Sequence, residues 1–164
     1  MQVKKDIERF VADAPQFDDM TMLCVKRNHL KIGETIELQP DMQSIPRVKE
    51  FLTQQAKKLM LSDKQQKKLM IVVDEVYSNI IHYSGAKTAS IFVGKEEEKL
   101  TLVFSDNGKP YNPLDAKDPD ITASAEDRAV GGLGVYMVRK MMDRVDYEYS
   151  NGMNRLTLIS NLPQ

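Results

Sequence analysis

The first half of the chain changes from a strand-like to a helix-like hydrophobic period. Residues 21–27 (TMLCVKR) and 30–38 (LKIGETIEL) are predicted strands, the second with apolar residues at even spacing, which is typical of a strand with one buried face. From residue 42 to about residue 60 the apolar residues recur near helical spacing. This pattern predicts one amphipathic helix.

A second helix has a clearer start. Ser62 with Gln65 three residues later forms a capping-box pattern, in which each side chain bonds the backbone N–H of the other residue. An apolar stripe then runs through Leu69, Val72, Val73, Val76 and Ile80. The pattern predicts a helix that ends before Gly85.

The second half is predicted to contain two hairpins and one more helix. Strands at 88–94 and 99–105 are joined by the charged turn 95–98, and strands near 144–150 and 154–160 are joined by Asn151 and Gly152. The helical period returns after residue 134 and runs through Val135, Val138, Met141, Met142 and Val145. Between these parts, residues 107–130 are mostly polar and aperiodic, which is typical of a lid, a binding loop or disorder.

The order of these elements decides the expected fold class. Strands and helices follow as β, α, α, β, β, long loop, α, β, β, without the strict alternation of a doubly wound parallel sheet. We therefore predict an α+β fold, a two-layer α/β sandwich with a mixed, mostly antiparallel sheet and helices on one face.

Composition limits the expected cellular location and the expected binding partners. A chain of 164 residues with 41% apolar and 29% charged residues is expected to form one globular core. A net charge of −1 gives no broad basic field for nucleic acid. Cys24 is the single cysteine, and the sequence has neither a signal-peptide pattern nor a run of about 20 apolar residues. We expect a soluble, cytoplasmic protein with no nucleic-acid or membrane partner.

The second helix carries polar residues beside its apolar stripe. Glu75, Asn79 and His82 follow the helical repeat, so they are expected to lie on one line along the helix. Such a line faces either solvent, which is its commonest use, or a cleft. The second helix alone does not separate these alternatives.

Two further segments bear on that choice, although each is common as a purely structural turn. In "DNGKP" (106–110), Asp106 follows a strand and can accept a hydrogen bond from an amino group, while Gly108 has no Cβ to keep a flat ring such as adenine from the backbone. In "GGLG" (131–134), Gly131, Gly132 and Gly134 allow unusual backbone angles just before a predicted helix. A helix N-terminus offers free N–H groups that favour phosphate.

The three segments in this order resemble the Bergerat-fold ATP-binding superfamily of gyrase, heat-shock chaperones and histidine kinases. The resemblance covers about residues 30–160. It implies that Glu75 is a general base, that Asn79 is a ligand of Mg²⁺, that Asp106 recognises adenine, and that residues 109–130 form a lid over the phosphates. The ATP-binding residues that it implies are Asn79, His82, Asp106, Gly108, Pro110, Arg128, Gly131, Gly132, Leu133 and Gly134.

Within that superfamily, "VVDEVYSNIIHYS" and "GGLGVYMVRKMMDRVDYEY" are similar to the anti-sigma-factor serine kinases of bacterial partner-switching systems. The resemblance implies ATP and Mg²⁺ as cofactors and a STAS-type antagonist protein as the phosphorylated partner. A non-catalytic ATP-binding module that regulates a sigma factor or an attached phosphatase needs the same pocket, and the sequence leaves both functions open. A sigma factor and a second copy of the chain are further partners that the resemblance allows.

One position departs from the superfamily pattern. Many members carry Gly-Thr on a late strand, where the threonine takes part in adenine binding, whereas this chain has Gly152-Met153-Asn154. Asn154 and Thr157 are the candidates to replace that threonine.

The N-terminal segment resembles a different family. Asp18, Asp19 and Thr21 match the end of PPM-type serine phosphatases, which suggests a tail at 1–28 followed by an ATP-binding domain at 29–164. A phosphatase domain covalently linked upstream is the partner that this resemblance implies. One carboxylate cannot hold a catalytic metal pair, so we expect no phosphatase activity here; an ordinary strand with an acidic turn is the alternative.

Overall fold

A computed structural model describes residues 32–115 and 133–162, and these residues form a two-layer α+β sandwich. Its sheet has five strands in the order β1-β2-β3-β5-β4. The strands are β1 (Ile32–Leu38), β2 (Ala89–Glu96), β3 (Lys99–Asp106), β4 (Arg144–Ser150) and β5 (Met153–Asn161). The predicted fold class is confirmed.

Every neighbouring pair in this sheet is antiparallel, so the mixed sheet that we expected is not found among the described strands. β2–β3 and β4–β5 are the two predicted hairpins, and tight turns allow only antiparallel neighbours. In the second turn, Asn151 and Gly152 have φ values of 52° and 77°, the left-handed region that asparagine and glycine tolerate best.

The helices lie on one face of the sheet. They are α1 (Ile45–Lys58), α2 (Asp63–Asn79) and α3 (Leu133–Met141). The start of α2 confirms the predicted capping box, because the Ser62 N–H donates to Gln65 Oε1 at 2.7 Å and the Gln65 N–H donates to Ser62 Oγ at 3.4 Å.

The end of α3 decides between two predictions that overlap at Val145. The helical period runs to Val145, which also falls in the strand predicted near 144–150; α3 ends at Met141 and Val145 lies in β4. The Asp143 N–H donates to the Ile159 carbonyl at 2.9 Å, so the chain enters the sheet directly after the helix. Val145 keeps the apolar spacing because it faces the same core from β4.

The core fills the space between the two layers. Ile91, Leu102 and Leu158 from the sheet, and Leu52 and Val72 from the helices, are each at most 1% exposed. Burying a side chain of this size stabilises the fold by about 1.5–3 kcal/mol. The helices are therefore held at fixed positions over the sheet, and this arrangement positions the site described next.

Some predictions fall outside the described residues: the strand at 21–27, the tail at 1–28 and most of the long loop. Within the described ranges, no helix combines the length and the apolar character needed to cross a membrane.

Candidate functional site

A cleft opens between α2, α3 and the sheet, at the end of β3. Its walls are mainly apolar, and the loop after β3 contributes Tyr111, Pro113 and Leu114 at its mouth. The apolar residues from the helices and strands are Val76, Ile80, Phe104, Val135, Val138, Val145 and Leu156. Such a surface suits a flat, weakly polar ring.

Asp106 is the buried carboxylate of this cleft, with 6% of its surface exposed. Its Oδ1 accepts hydrogen bonds from the Gly108 N–H at 2.9 Å and from the Asn154 side-chain amide at 3.1 Å. Both bonds end on the same oxygen, and the carboxylate is thereby held in one orientation. The structure thus brings Asp106 to the cleft, where the sequence predicted it.

Gly108 lies where it was predicted but has a different steric neighbour. A Cβ at this position would come within 2.5 Å of the Ser84 carbonyl oxygen, and the next residue, Lys109, donates its N–H to that same oxygen at 2.9 Å. Because Gly108 has no side chain, the loop after β3 can approach Ser84, which follows the end of α2. The close contact that requires glycine is therefore with the backbone of Ser84.

Asn154 lies across from Asp106 in the β3–β5 register and is 6% exposed. It lines the cleft, whereas Thr157 is on the opposite face of the sheet, beside Arg155 and Asp146. Of the two candidates for the position that departs from the superfamily pattern, only Asn154 reaches Asp106.

Glu75 and Gly134 meet where α2 passes the start of α3. Glu75 is half-buried, and a Cβ added at Gly134 would collide with its carboxylate oxygen Oε2. We expected unusual backbone angles at Gly134, but this residue lies inside α3 and has no positive φ. Its lack of a side chain gives room to the Glu75 carboxylate, which lies at the positive end of the α3 dipole.

Asn79 lines the cleft one turn after Glu75, but His82 does not. His82 is exposed, because α2 continues into a π-helical turn at Ile80–Ser84 that changes the residue spacing after Asn79. Tyr83 lines the cleft in place of His82. Of the three polar residues predicted to lie on one line, only Asn79 therefore lines the cleft, because Glu75 lies against Gly134 and His82 is exposed.

Three tyrosines at the cleft were not singled out from the sequence: Tyr83, Tyr111 and Tyr147. The Tyr147 hydroxyl donates to Asn154 Oδ1 at 2.7 Å, and burial raises the pKa of Tyr147 above its usual value of 10.0. Tyr147 therefore stays protonated as a donor at neutral pH. The alternation along β4 was the available signal, since it places Tyr147 on the same face as Val145.

The remaining predicted residues are less informative. Pro110 is exposed after β3, and Leu133 is 45% exposed at the start of α3; neither lines the cleft. Arg139 of α3 does line it and was not predicted. Arg128, Gly131 and Gly132 lie outside the described residues.

Asn79 is the side chain of the cleft that the sequence predicted as a ligand of Mg²⁺, and it lines the cleft. Asn79 offers an amide oxygen, the type of hard ligand that Mg²⁺ accepts, usually beside phosphate oxygens and water. Among residues 32–115 and 133–162, no three His, Cys, Asp or Glu side chains come together as a metal site. The donor set fits an ion that enters with a phosphorylated ligand.

Comparisons with known proteins identify the family of the chain. A family model described as a histidine kinase-like ATPase domain matches residues 38–160. The serine/threonine-protein kinase BtrW of Bordetella bronchiseptica is 30% identical over 97 residues, which are 57% of this chain and 68% of that protein. The serine-protein kinase RsbW of Listeria monocytogenes is 28% identical over 134 residues, 77% of this chain and 84% of that protein. Because the family model covers well over half of the chain, the chain belongs to the histidine kinase-like ATPase domain family.

Proposed function

We propose that this chain is an ATP-dependent protein serine kinase of the anti-sigma-factor type, and that it phosphorylates a STAS-type antagonist in a bacterial partner-switching pathway. The observation that carries the proposal is one cleft lined by both Asp106 of β3 and Asn79 of α2, two elements far apart in sequence. Glu75 does not line this cleft, but it lies one turn before Asn79 on α2, against Gly134 of α3. Its relatives named as serine kinases support the reaction class.

The two ends of the cleft differ in chemistry, and this difference orients the nucleotide. At the β3 end, Asp106 is a buried acceptor beside apolar walls, which suits an aromatic base that carries an amino group. On the α3 side, Val135 lines the cleft, and Glu75 lies against the preceding residue, Gly134, although Glu75 is not itself part of the lining. The N-terminus of a helix favours phosphate oxygens, so the triphosphate extends from Asp106 towards α3.

Glu75 is the proposed general base. Its carboxylate takes the proton of the incoming serine hydroxyl, whose oxygen then forms a bond to the γ-phosphorus while the bond to the ADP oxygen breaks. Asn79, one turn further along α2, would hold Mg²⁺ through its side-chain oxygen. The ion would supply positive charge to neutralise the phosphate oxygens.

Two further partners belong to the proposal. A sigma factor is included because the resemblance is to anti-sigma-factor kinases. A covalently linked PPM-type phosphatase domain rests only on Asp18, Asp19 and Thr21, which lie outside the described residues. A longer native reading frame would support this second partner.

The first test removes the proposed base and leaves the rest of the cleft in place. With labelled ATP, Mg²⁺ and a panel of STAS-type antagonists, Glu75→Gln is expected to lower the rate of transfer to serine by about 10²–10⁴-fold, the range of general-base catalysis. Its affinity for ATP should change by no more than a few-fold, because the base contacts the serine hydroxyl rather than the nucleotide.

Asp74→Asn is the matched control. Asp74 is the neighbouring carboxylate on α2, is exposed and lies 3.9 Å from Lys49. The control therefore removes the same charge from the same helix, outside the cleft. Equal transfer rates in Glu75→Gln and the wild type would contradict the assignment of the base. Tight ATP binding without transfer to any antagonist would favour the non-catalytic module instead.

A further inference from the structure

Asn154 has an unusual position for a polar side chain. It lies on the helix-facing side of β5, between Tyr147 of β4 and Asp106 of β3, and 94% of its surface is removed from solvent. Burying an amide without hydrogen bonds costs several kcal/mol. The hydrogen-bond partners of the Asn154 side chain therefore indicate why an asparagine is needed here.

All four hydrogen-bonding capacities of the amide are used. Nδ2 donates to Asp106 Oδ1 at 3.1 Å and to the Lys109 carbonyl at 3.0 Å. Oδ1 accepts from the Tyr147 hydroxyl at 2.7 Å and from the Tyr111 N–H at 3.2 Å. Two donors and two acceptor sites are the full inventory of an asparagine side chain. One residue thus joins the end of β3, the loop that follows it and β4.

The partners also fix which end of the amide faces Asp106. An ionised carboxylate and a carbonyl can only accept, so both require the Nδ2 end; a backbone N–H can only donate, so Tyr111 requires the Oδ1 end. Asp106 Oδ1 is held by this amide and by the Gly108 N–H. Its other oxygen, Oδ2, receives no hydrogen bond from the described residues and has a fixed direction.

We propose that Asn154 is a positioning residue that sets base selectivity: it holds Asp106 so that Oδ2 is presented as an acceptor for the exocyclic amino group of adenine. The inference rests on the proposed ATP site and adds the residue that makes it selective. A purine with a 6-oxo group would place an acceptor against that carboxylate. Unpaired buried polar groups are a strong source of discrimination.

A threonine at this position could not make the same set of bonds. A hydroxyl donates once, so it could bond either Asp106 or the Lys109 carbonyl. Asparagine bonds both, and it also holds the Tyr111 N–H from its other end. In this chain, the orientation of the base-reading carboxylate is therefore tied to residues 109–111 at the mouth of the cleft.

The test compares ATP with inosine triphosphate, which has a 6-oxo group and an N1–H where adenine has a 6-amino group and an unprotonated N1. Asn154→Asp keeps the size and the acceptor atoms but loses both donors. We expect it to weaken ATP binding at least tenfold and inosine triphosphate binding less than threefold, measured as Kd by titration calorimetry. A purely structural role would weaken the binding of both nucleotides equally. The decisive readout is therefore the Kd for inosine triphosphate divided by the Kd for ATP.

Two further variants sharpen the comparison. Asn161→Asp makes the same chemical change on the same strand at an exposed position away from the cleft, and its ratio should equal that of the wild type. Asp106→Asn should reduce the ratio by itself. The double variant of residues 106 and 154 should show no further reduction, because residues that act as one unit are not additive.

Each outcome decides the matter. A smaller ratio of the inosine triphosphate Kd to the ATP Kd in Asn154→Asp than in the wild type supports the proposal. An unchanged ratio overturns it, and the proposed function as an ATP-binding protein then still stands. If the wild type binds neither nucleotide, the proposed function fails and this inference fails with it. If Asn154→Asp does not fold, as judged by circular dichroism, Asn154→Ser replaces it; its single short hydroxyl should contract the ratio in the same way.

Discussion

At the scale of single residues, two glycines near the site, Gly108 and Gly134, are explained by close contacts. Gly108 is needed because the Ser84 carbonyl lies against it, and Gly134 because the Glu75 carboxylate does. The sequence marked both positions as parts of a nucleotide site, but it assigned their small size to an approaching ring and to unusual backbone angles. The identity of a neighbour from a distant segment is not encoded in a local motif.

Gly134→Ala should separate stability from activity. Alanine is favoured over glycine inside a helix by up to about 1 kcal/mol, so the free energy of unfolding should stay equal or rise. The new methyl group collides with the flexible end of Glu75, and rotation of that side chain relieves the collision. Displacing the proposed base should lower phosphotransfer at least tenfold, measured beside urea unfolding of the same preparation.

The double variant of residues 75 and 134 provides the control for this prediction. If Gly134→Ala acts by moving the base, adding it to Glu75→Gln should cause little further loss of transfer. Full transfer activity in Gly134→Ala would contradict the role given to the contact. A large loss of stability would show that the helix, rather than the base, was disturbed.

The position of a single residue could be predicted only where the helix or strand that contains it is regular. Asn79 follows Glu75 by one regular turn and lines the cleft, whereas His82 lies beyond the start of the π-helical turn and does not line it. The Asn151–Gly152 turn fixes the register of β4 and β5, so Asn154 could be placed opposite Tyr149 from sequence alone. Its bond to Asp106 required knowing that β5 lies beside β3.

At the scale of elements, α2 is the helix that supports the site. Its start was predictable from Ser62 and Gln65, because a capping box is a local interaction. Its end was predicted only as lying before Gly85, which has a φ of 65° after the π-helical turn. That turn carries the Ser84 carbonyl to Lys109 and so joins α2 to the loop after β3.

Tyr77 gives α2 a measurable response to alkaline pH. Its hydroxyl lies 2.7 Å from Ser44 Oγ in the turn before α1, and burial raises its pKa above 10.0. Above about pH 10 an unfolded tyrosine loses its proton while the folded one keeps it. The unfolded state then binds fewer protons, so the free energy of unfolding falls as pH rises.

Tyr77→Phe should make this fall shallower between pH 9 and pH 11, measured by urea unfolding. The variant should also cost about 1 kcal/mol at neutral pH through the lost hydrogen bond. Tyr83→Phe, which removes a hydroxyl from a tyrosine that is 70% exposed, is the control and should keep the wild-type slope. Identical slopes in all three proteins would contradict this account of Tyr77.

At the scale of the whole molecule, the cleft exists because of the strand order. Placing β5 between β3 and β4 brings Asp106, Asn154 and Tyr147 together under α2 and α3. The two hairpins followed from turn signals, but the pairing of β3 with β5 joins residues about 50 positions apart and has no local signature. Family resemblance, rather than periodicity, supplied the expectation that these segments form one site.

The central claim is that Asp106 and Asn79 contribute to one site for Mg·ATP, and calorimetric titration tests it most directly. The wild type should show saturable heat with one site per chain. At about 100 times Kd, bound ATP should stabilise the fold by about 2.7 kcal/mol, or roughly 5–10 °C in Tm. Asp106→Asn should raise Kd at least tenfold, a loss of about 1.4 kcal/mol. No heat and no thermal stabilisation in the wild type would contradict the account.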